Sequence, residues 1–301
     1  MGKASLDSAR ICIRGYYRRE FRVPPSPLPL RVLDIERILH TTFVASAEYH
    51  DRVTSTNDLA VEIAGRGKPR TPLLVVAGEQ AAGRGQGVKR WWSGPGSLAF
   101  TLLLDPGPAS ADGQAHPLDA PQPAPSPMLA LAAGVAVVEA LAPLAGTATV
   151  GLRWPNDVMA AGRKLAGILV EVLARGRVVM GIGVNTNNTA QDAPAEIQAR
   201  VGTLRDLTGR THDQTDVLAA ILLGLERSLA LLGRAPAELA ARADALCVDR
   251  GRPLRVQCPS EVFAGRCQGI AADGALLLET AAGCRAIYSG TIRLCQDGFA
   301  G

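Results

Sequence analysis

The sequence predicts an α/β domain followed by a small β-barrel. Apolar runs of strand length alternate with helical spacing from residue 33 to about residue 247. In the middle, RKLAGILVEVLARGRVVMGIGVN holds two apolar strands separated only by Ala174-Arg175-Gly176-Arg177, the pattern of a sheet centre. From about residue 249 the pattern changes to short strands with tight turns, which suggests a barrel too small to stand alone and so docked on the larger domain.

Residues 1–30 form a basic arm that ends in the breaker PPSPLP. Next, LDIERILHTTF has helical spacing, and EYHDRV reads as a strand running into STNDLAVEIAGRG. That segment is a helix capped near Ser55 or Thr56 and stopped by Gly65. LLVVAGEQ and SLAFTLLLD are apolar strands on either side of a glycine-rich loop. The Pro/Ala-rich stretch 106–127 reads as a surface insertion, and MLALAAGVAVVEALAPL as a largely buried helix. Residues 215–247 return to helical spacing before the strands of the barrel begin.

The net charge of +4 resides in the arm, where residues 1–30 hold six Lys/Arg against two Asp/Glu. The remainder is neutral, which argues against broad electrostatic capture of nucleic acid. No run is long enough for a spanning helix, and the first residues lack a continuous apolar signal segment, so retention in the cytosol is expected. The six cysteines fall at no close C-x-x-C spacing, so reduced thiols are expected and no metal site is assigned.

Three clusters carry candidate chemistry. The first, GEQAAGRGQGVKRWWSGPGS, sets Gln80, Arg84, Lys89 and Arg90 in a loop relieved by Gly83, Gly85 and Gly87. Glycines let backbone N–H groups approach an anion, yet the order fits neither the dinucleotide fingerprint nor the P-loop, because Trp91 and Trp92 follow the lysine and arginine. The second, LRWPNDVMAAGRKLAGILVE, has Pro155 fixing a turn, Asn156 and Asp157 as turn residues, and Lys164 opening an apolar strand at the sheet's edge. An ammonium there calls for an anion or for a stem that snorkels to water. Gly167 and Gly183 remove side chains where another group could approach, or mark bulges. The third, Ser55-Thr56-Asn57-Asp58, reads as an N-cap or as the polar end of a pocket. All three tryptophans, Trp91, Trp92 and Trp154, lie in the first two clusters, a concentration of flat apolar surface that favours a ligand site.

Taken in order, these strings resemble the catalytic domain of biotin-protein ligases of the kind without an N-terminal DNA-binding domain. S-T-N sits at Ser55 to Asn57, Q-x-x-G-R-G at Gln80 to Gly85, W-P-N-D at Trp154 to Asp157, and K-L-x-G-I-L-x-E at Lys164 to Glu171. G-I-G-V-N at Gly181 to Asn185 resembles the next strand, and G-A-L-L-L-E at Gly274 to Glu279 resembles the family's SH3-like C-terminal domain.

The resemblance implies a mixed-sheet α/β (α+β) catalytic domain over 31–248 and an SH3-like barrel over 249–297. It implies that biotin attacks the α-phosphate of ATP, and that a lysine of a biotin carboxyl carrier domain then attacks the biotinyl-adenylate. By the same resemblance Lys164 and Arg84 are the catalytic cations. Ser55, Thr56 and Gln80 would meet the ureido ring, with Asn57 completing that motif. The strands around Gly167 and Gly183 would hold the tail. Gly83, Gly85, Gln86, Trp91, Asn156 and Asp157 complete the binding set, with Mg²⁺ held through phosphate oxygens. Specific DNA binding and membrane association are not expected, and homodimerisation through a sheet edge is left open.

One departure stands out. Where the family pattern runs G-R-G-R-x-G-R, this chain has Gly83-Arg84-Gly85-Gln86-Gly87-Val88-Lys89. The second arginine has become Gln86 and a glycine has moved, so beside Arg84 the loop's positive charge partly survives in Lys89 and Arg90, with a changed geometry over the adenylate. A lipoate or octanoyl ligase shares the expected fold, but its R-R-x-x-G-G-G string is absent. A biotin-dependent repressor would need a helix-turn-helix reader, for which residues 1–30 are too short and proline-broken. A non-catalytic binding module is disfavoured by the presence of Lys164, Arg84 and Gln80 together.

Overall fold

The computed structural model describes residues 33–106 and 127–294. The basic arm, and the Pro/Ala-rich insertion apart from its two end residues, lie outside the described residues.

The chain opens with α1 (Ile35–Thr41), β1 (Ser46–Val53), α2 (Thr56–Arg66), β2 (Leu73–Gln80) and β3 (Leu98–Leu104). α2 runs through Gly65 and ends at Arg66, with Gly67 as its C-cap, so the expected stop at Gly65 is two residues early. Gly65 sits where nothing packs within 4 Å and is tolerated as a helical residue, at a cost of about 1 kcal/mol relative to alanine. After α3 (Met128–Leu141), β4 (Val150–Arg153) and β5 (Asp157–Ala160) make a hairpin that leads into β6 (Arg163–Val172) and β7 (Val178–Val184). The Trp154–Pro155 bond between β4 and β5 is cis.

The seven strands order as β1-β2-β3-β7-β6-β5-β4. Only β1 and β2 run parallel, joined by the crossover helix α2, and every other neighbour is antiparallel. The sheet is therefore mixed, with β7 and β6 interior as their unbroken apolar runs require.

Period-two alternation divides the sheet's faces. Leu74, Val76, Phe100, Leu102, Met180 and Ile182 enter the main core with α3. Leu73, Val75, Leu103 and Val179 point the other way and pack under Ala60 and Ala64 of α2. Towards the N-terminus of α2 that second face loses its aliphatic cover: Thr101, Gly181 and Gly183 follow Leu103 and Val179 in alternation. A shelf is left beside the first turn of α2.

Short helices α4 (Ala195–Gln198) and α5 (Leu204–Thr208) precede α6 (Gln214–Arg234) and α7 (Pro236–Ala245). The expected helical stretch 215–247 is thus two helices, divided at Ala235 because Pro236 carries no N–H to continue the first. α6 lies against α3 and completes the main core.

The C-terminal unit comprises β8 (Pro253–Gln257), β9 (Val262–Ile270), β10 (Leu276–Thr280), β11 (Gly283–Ile287) and β12 (Thr291–Leu294). They form a five-stranded antiparallel SH3-like sheet ordered β11-β10-β9-β8-β12. It is docked as expected for so small a unit. Trp154 Nε1 donates to the Gly274 carbonyl at 2.9 Å. Arg153 grips the fully buried Asp249 through two bonds of 2.9 and 3.2 Å, and breaking such a buried pair typically costs about 3–5 kcal/mol.

Candidate active site

The site is assembled from the start of α2, the loop between β2 and β3, the hairpin β4–β5, the facing glycines of β6 and β7, and the start of β12. Together they line one cleft of about 850 Å³, counted out to its open mouth.

At its inner end, Ser55 caps α2 and accepts from the Asp58 N–H. Thr56 and Asn57 begin the helix and are buried despite their polarity, which demands partners. Gln80, the last residue of β2, accepts from both the N–H and the hydroxyl of Thr56, at 2.9 and 3.1 Å, and donates to Ser93 at 3.0 Å. Asn57 donates to Glu171 at 2.9 Å, and its Oδ1 accepts from the Thr101 hydroxyl at 2.7 Å. A Cβ on Gly181 would stand 1.9 Å from Asn57 Oδ1. Glycine there is a steric requirement of the asparagine.

Gly167 and Gly183 are directly paired across β6 and β7. Trp91 lies over both: a Cβ on Gly183 would stand 2.3 Å from its ring, and one on Gly167 would stand 3.0 Å away. The buried indole Nε1 has no hydrogen-bond partner among the described residues. The indole, with its unused donor, therefore lies flat on a floor without side chains and fills a slot one ring thick, which a slender ligand would take by displacing the ring.

The cationic end centres on Lys164. Its ammonium pairs with Asp157 at 2.5 Å and sits 5.6 Å from the centroid of the Trp91 ring. Lys164 is the second residue of β6, so it stands at the end of its strand as expected, and that strand is flanked by β5 and β7. Its backbone is clamped by the segment after α4, with Lys164 N donating to Arg200 O at 2.7 Å and Gly202 N donating to Lys164 O at 2.9 Å. Asn156 donates to the Ile168 carbonyl at 2.7 Å and thereby fixes the hairpin that presents Asp157.

Arg84 reaches across from the loop to Glu171, at 2.7 and 3.0 Å, and to Asp58 at 2.9 Å. The hydrogen bond to Glu171 is the main reason its pKa is raised, so it stays a cation. The loop is a hairpin closed by Trp91 N to Gly83 O and Gly85 N to Lys89 O, each 2.9 Å, with Gly87 at φ +64° at the tip. Gly83 permits the closure, since a Cβ would stand 2.7 Å from the Trp91 carbonyl.

Of the residues singled out from the sequence, Ser55, Thr56, Asn57, Gln80, Arg84, Gly85, Gln86, Trp91, Asn156, Asp157, Lys164, Gly167 and Gly183 line this cleft, and Gly83 lies behind it. The tryptophans divide their work. Trp92 packs on the satellite cluster of Ala190, Ala193 and Val201. Trp154 lines the cleft but is 2% exposed with its N–H committed to Gly274, so Trp91 is the ring that stands over the paired glycines. Thr101 and Glu171 were not singled out, although Thr101 is the one polar residue of an otherwise apolar strand and Glu171 closes a quoted motif. Thr291 had no local signal at all, because it lies far along the chain.

The chain is similar to known proteins. The biotin/lipoate A/B protein ligase family matches over residues 49–187, and the biotin protein ligase C terminal domain over residues 251–294. The chain is 34% identical over 286 residues to the bifunctional ligase/repressor BirA of Bacillus subtilis (strain 168), spanning 92% of this chain and 83% of that protein. It is 33% identical over 207 residues to the biotin–[acetyl-CoA-carboxylase] ligase of Mycobacterium tuberculosis, spanning 68% and 72%. The biotin protein ligase from Aquifex aeolicus, solved in complex with biotin and ATP, superposes with a TM-score of 0.70 at 26% identity, covering 83% of this chain and 99% of that one.

Proposed function

We propose a two-step reaction for this chain, which belongs to the biotin protein ligase family and is a ligase. In the first step the biotin carboxylate attacks the α-phosphate of ATP, giving biotinyl-adenylate and pyrophosphate. In the second, a lysine amine of a biotin carboxyl carrier domain attacks the acyl carbon and AMP leaves. The observation that carries this reading is Lys164 beside the Gly167–Gly183 floor: a cation stands at the end of a slot free of side chains except the Trp91 ring, which an acyl tail would displace.

Each residue has a role that follows from its contacts. Lys164 would leave part of its pairing with Asp157 to donate to the carboxylate and α-phosphate oxygens, where negative charge gathers in both steps. Arg84, held by Glu171 and Asp58, would face the same anhydride. Ser55, Thr56 and Gln80 carry donors and acceptors suited to the ureido ring, and the N-terminus of α2 adds its partial positive charge to that end. Trp91 would lift off the glycines and cover the tail. The site's carboxylates Asp157 and Glu171 are already paired with Lys164 and Arg84, so Mg²⁺ would be held chiefly by phosphate oxygens and water. Residues 31–248 would act as the catalytic unit, and residues 249–297 as a unit that closes one side of the cleft.

No helix among the described residues is long and apolar enough to cross a membrane. The test is to incubate the protein with biotin, ATP, Mg²⁺ and a purified carrier domain, and to weigh the acceptor. A single biotinyl increment on one lysine supports the reading. Transfer of lipoate or octanoate in its place would assign the chain to the other branch of the fold.

A further inference from the structure

The glycine-rich loop and the C-terminal sheet meet at a polar contact: Lys89 Nζ donates to Thr291 Oγ1 at 2.9 Å. Thr291 opens β12, and Gly290, Thr291 and Ile292 line the cleft beside residues of the catalytic sheet. On the loop side, the bond from Gly85 N to Lys89 O sets the Lys89 backbone in the returning arm of the hairpin.

The charges around Lys89 are unbalanced. Lys164 and Arg293 act on it as cations, while the carboxylate acting on it, Asp157, is already engaged by Lys164 at 2.5 Å. Partial burial of the Lys89 ammonium, together with Lys164 and Arg293, lowers its pKa against the opposing pull of Asp157. Lys89 thus stands at the cleft beside a second cation, Lys164, whose carboxylate partner is already engaged, a place suited to a polyanion. The loop's other candidates are less well held. Gln86 is neutral and exposed near the tip, and the Arg90 side chain makes no hydrogen bond or ion pair among the described residues.

We propose that Thr291 is a positioning residue: from the C-terminal sheet it holds Lys89 as the second loop cation of the adenylation site, in the role that the family pattern gives to an arginine where this chain has Gln86. This rests on the biotin ligase reading above. A lysine stem is a flexible point charge that lacks the fork of arginine, so its direction must come from a partner, and a hydroxyl on a β-strand gives it one. The barrel thereby becomes part of the site's electrostatics as well as its wall.

The test is biotin-dependent exchange of pyrophosphate into ATP, run on the full chain with its Thr291 and Lys89 variants. Thr291→Val should raise KM for ATP about tenfold, the worth of one hydrogen bond to a charged group, with a smaller change in kcat. Thr291→Ser keeps the hydroxyl and should return KM to within about twofold of the original. Lys89→Met should match Thr291→Val, and adding Thr291→Val to Lys89→Met should cost less than about twofold more, because two residues acting through one contact are not additive. An unchanged KM in Thr291→Val, or full additivity with Lys89→Met, overturns the proposal. Should Thr291→Val melt early, Lys89→Met decides alone, since an unchanged KM there is equally fatal. Absence of biotin-dependent exchange in the unmodified chain would instead strike the ligase reading on which the proposal stands.

Discussion

Arg84 and Glu171 face each other as a fork, with guanidinium nitrogens at 2.7 and 3.0 Å from the two carboxylate oxygens, across the cleft between the loop and β6. Glu171 also accepts from Asn57, so one carboxylate ties the loop's cation to the polar end of the pocket. Glu171→Gln keeps the shape and removes the charge. Arg84 would then lose its direction, and adenylate formation should slow about tenfold, the lower end of what a charged hydrogen bond contributes at a partly exposed pair. Single-turnover formation of biotinyl-adenylate measures this, and a faster rate would mean that Glu171 restrains Arg84 where we have it aiming Arg84.

Gly181→Ala should damage the site from behind. Its methyl would fall 1.9 Å from Asn57 Oδ1, so the asparagine must leave its bond with Thr101. Overpacking of this kind costs about 1–3 kcal/mol, and the displaced first turn of α2 should also raise KM for biotin. Thermal unfolding and a biotin titration read the two effects separately, and a variant with an unchanged melting temperature and KM would remove Asn57 from the account.

Gln86→Arg should have little effect on its own, because Lys89 already stands among Lys164, Asp157 and Arg293. In a Lys89→Met background the same substitution should restore retention of the intermediate, by about 1.5–3 kcal/mol if the new fork aligns. Dissociation of labelled adenylate under a chase of unlabelled biotin and ATP gives the off-rates. A large slowing in the single variant would show that Lys89 leaves the loop short of charge.

The Lys89 ammonium is charged below its pKa, and burial lowers that pKa, so its charge is lost at a lower pH than in a free lysine. Adenylate formation should therefore weaken on the alkaline side as pH rises through the lowered value. Lys89→Arg should carry activity to higher pH, since a guanidinium does not titrate there. A pH profile of KM for ATP distinguishes the two chains, and coincident alkaline limbs would exclude Lys89 as the titrating group.

Much of this was legible in the sequence because local chemistry coincides with place. Ser55 caps a helix, Pro155 marks a turn, and the paired apolar runs that carry Gly167 and Gly183 read as neighbouring strands. What stayed hidden depends on long-range pairing. Nothing near Thr291 in sequence announces Lys89, 202 residues away. The indole of Trp154 was legible as ring surface but not as a buried tie, because its partner is a backbone carbonyl that any residue could supply. The stop of α2 was misplaced by two residues, since an exposed glycine can either end a helix or ride in it.

The central claim is that Lys164 serves an adenylate-forming ligase, and biotin-dependent pyrophosphate exchange in the unmodified chain and in Lys164→Ala tests it most directly. The account predicts exchange that requires biotin and is not supported by lipoate, falling about 100-fold or more in a folded Lys164→Ala chain, the typical cost of losing one contact to developing negative charge. Exchange at the original rate in folded Lys164→Ala, at saturating biotin and ATP, would contradict it.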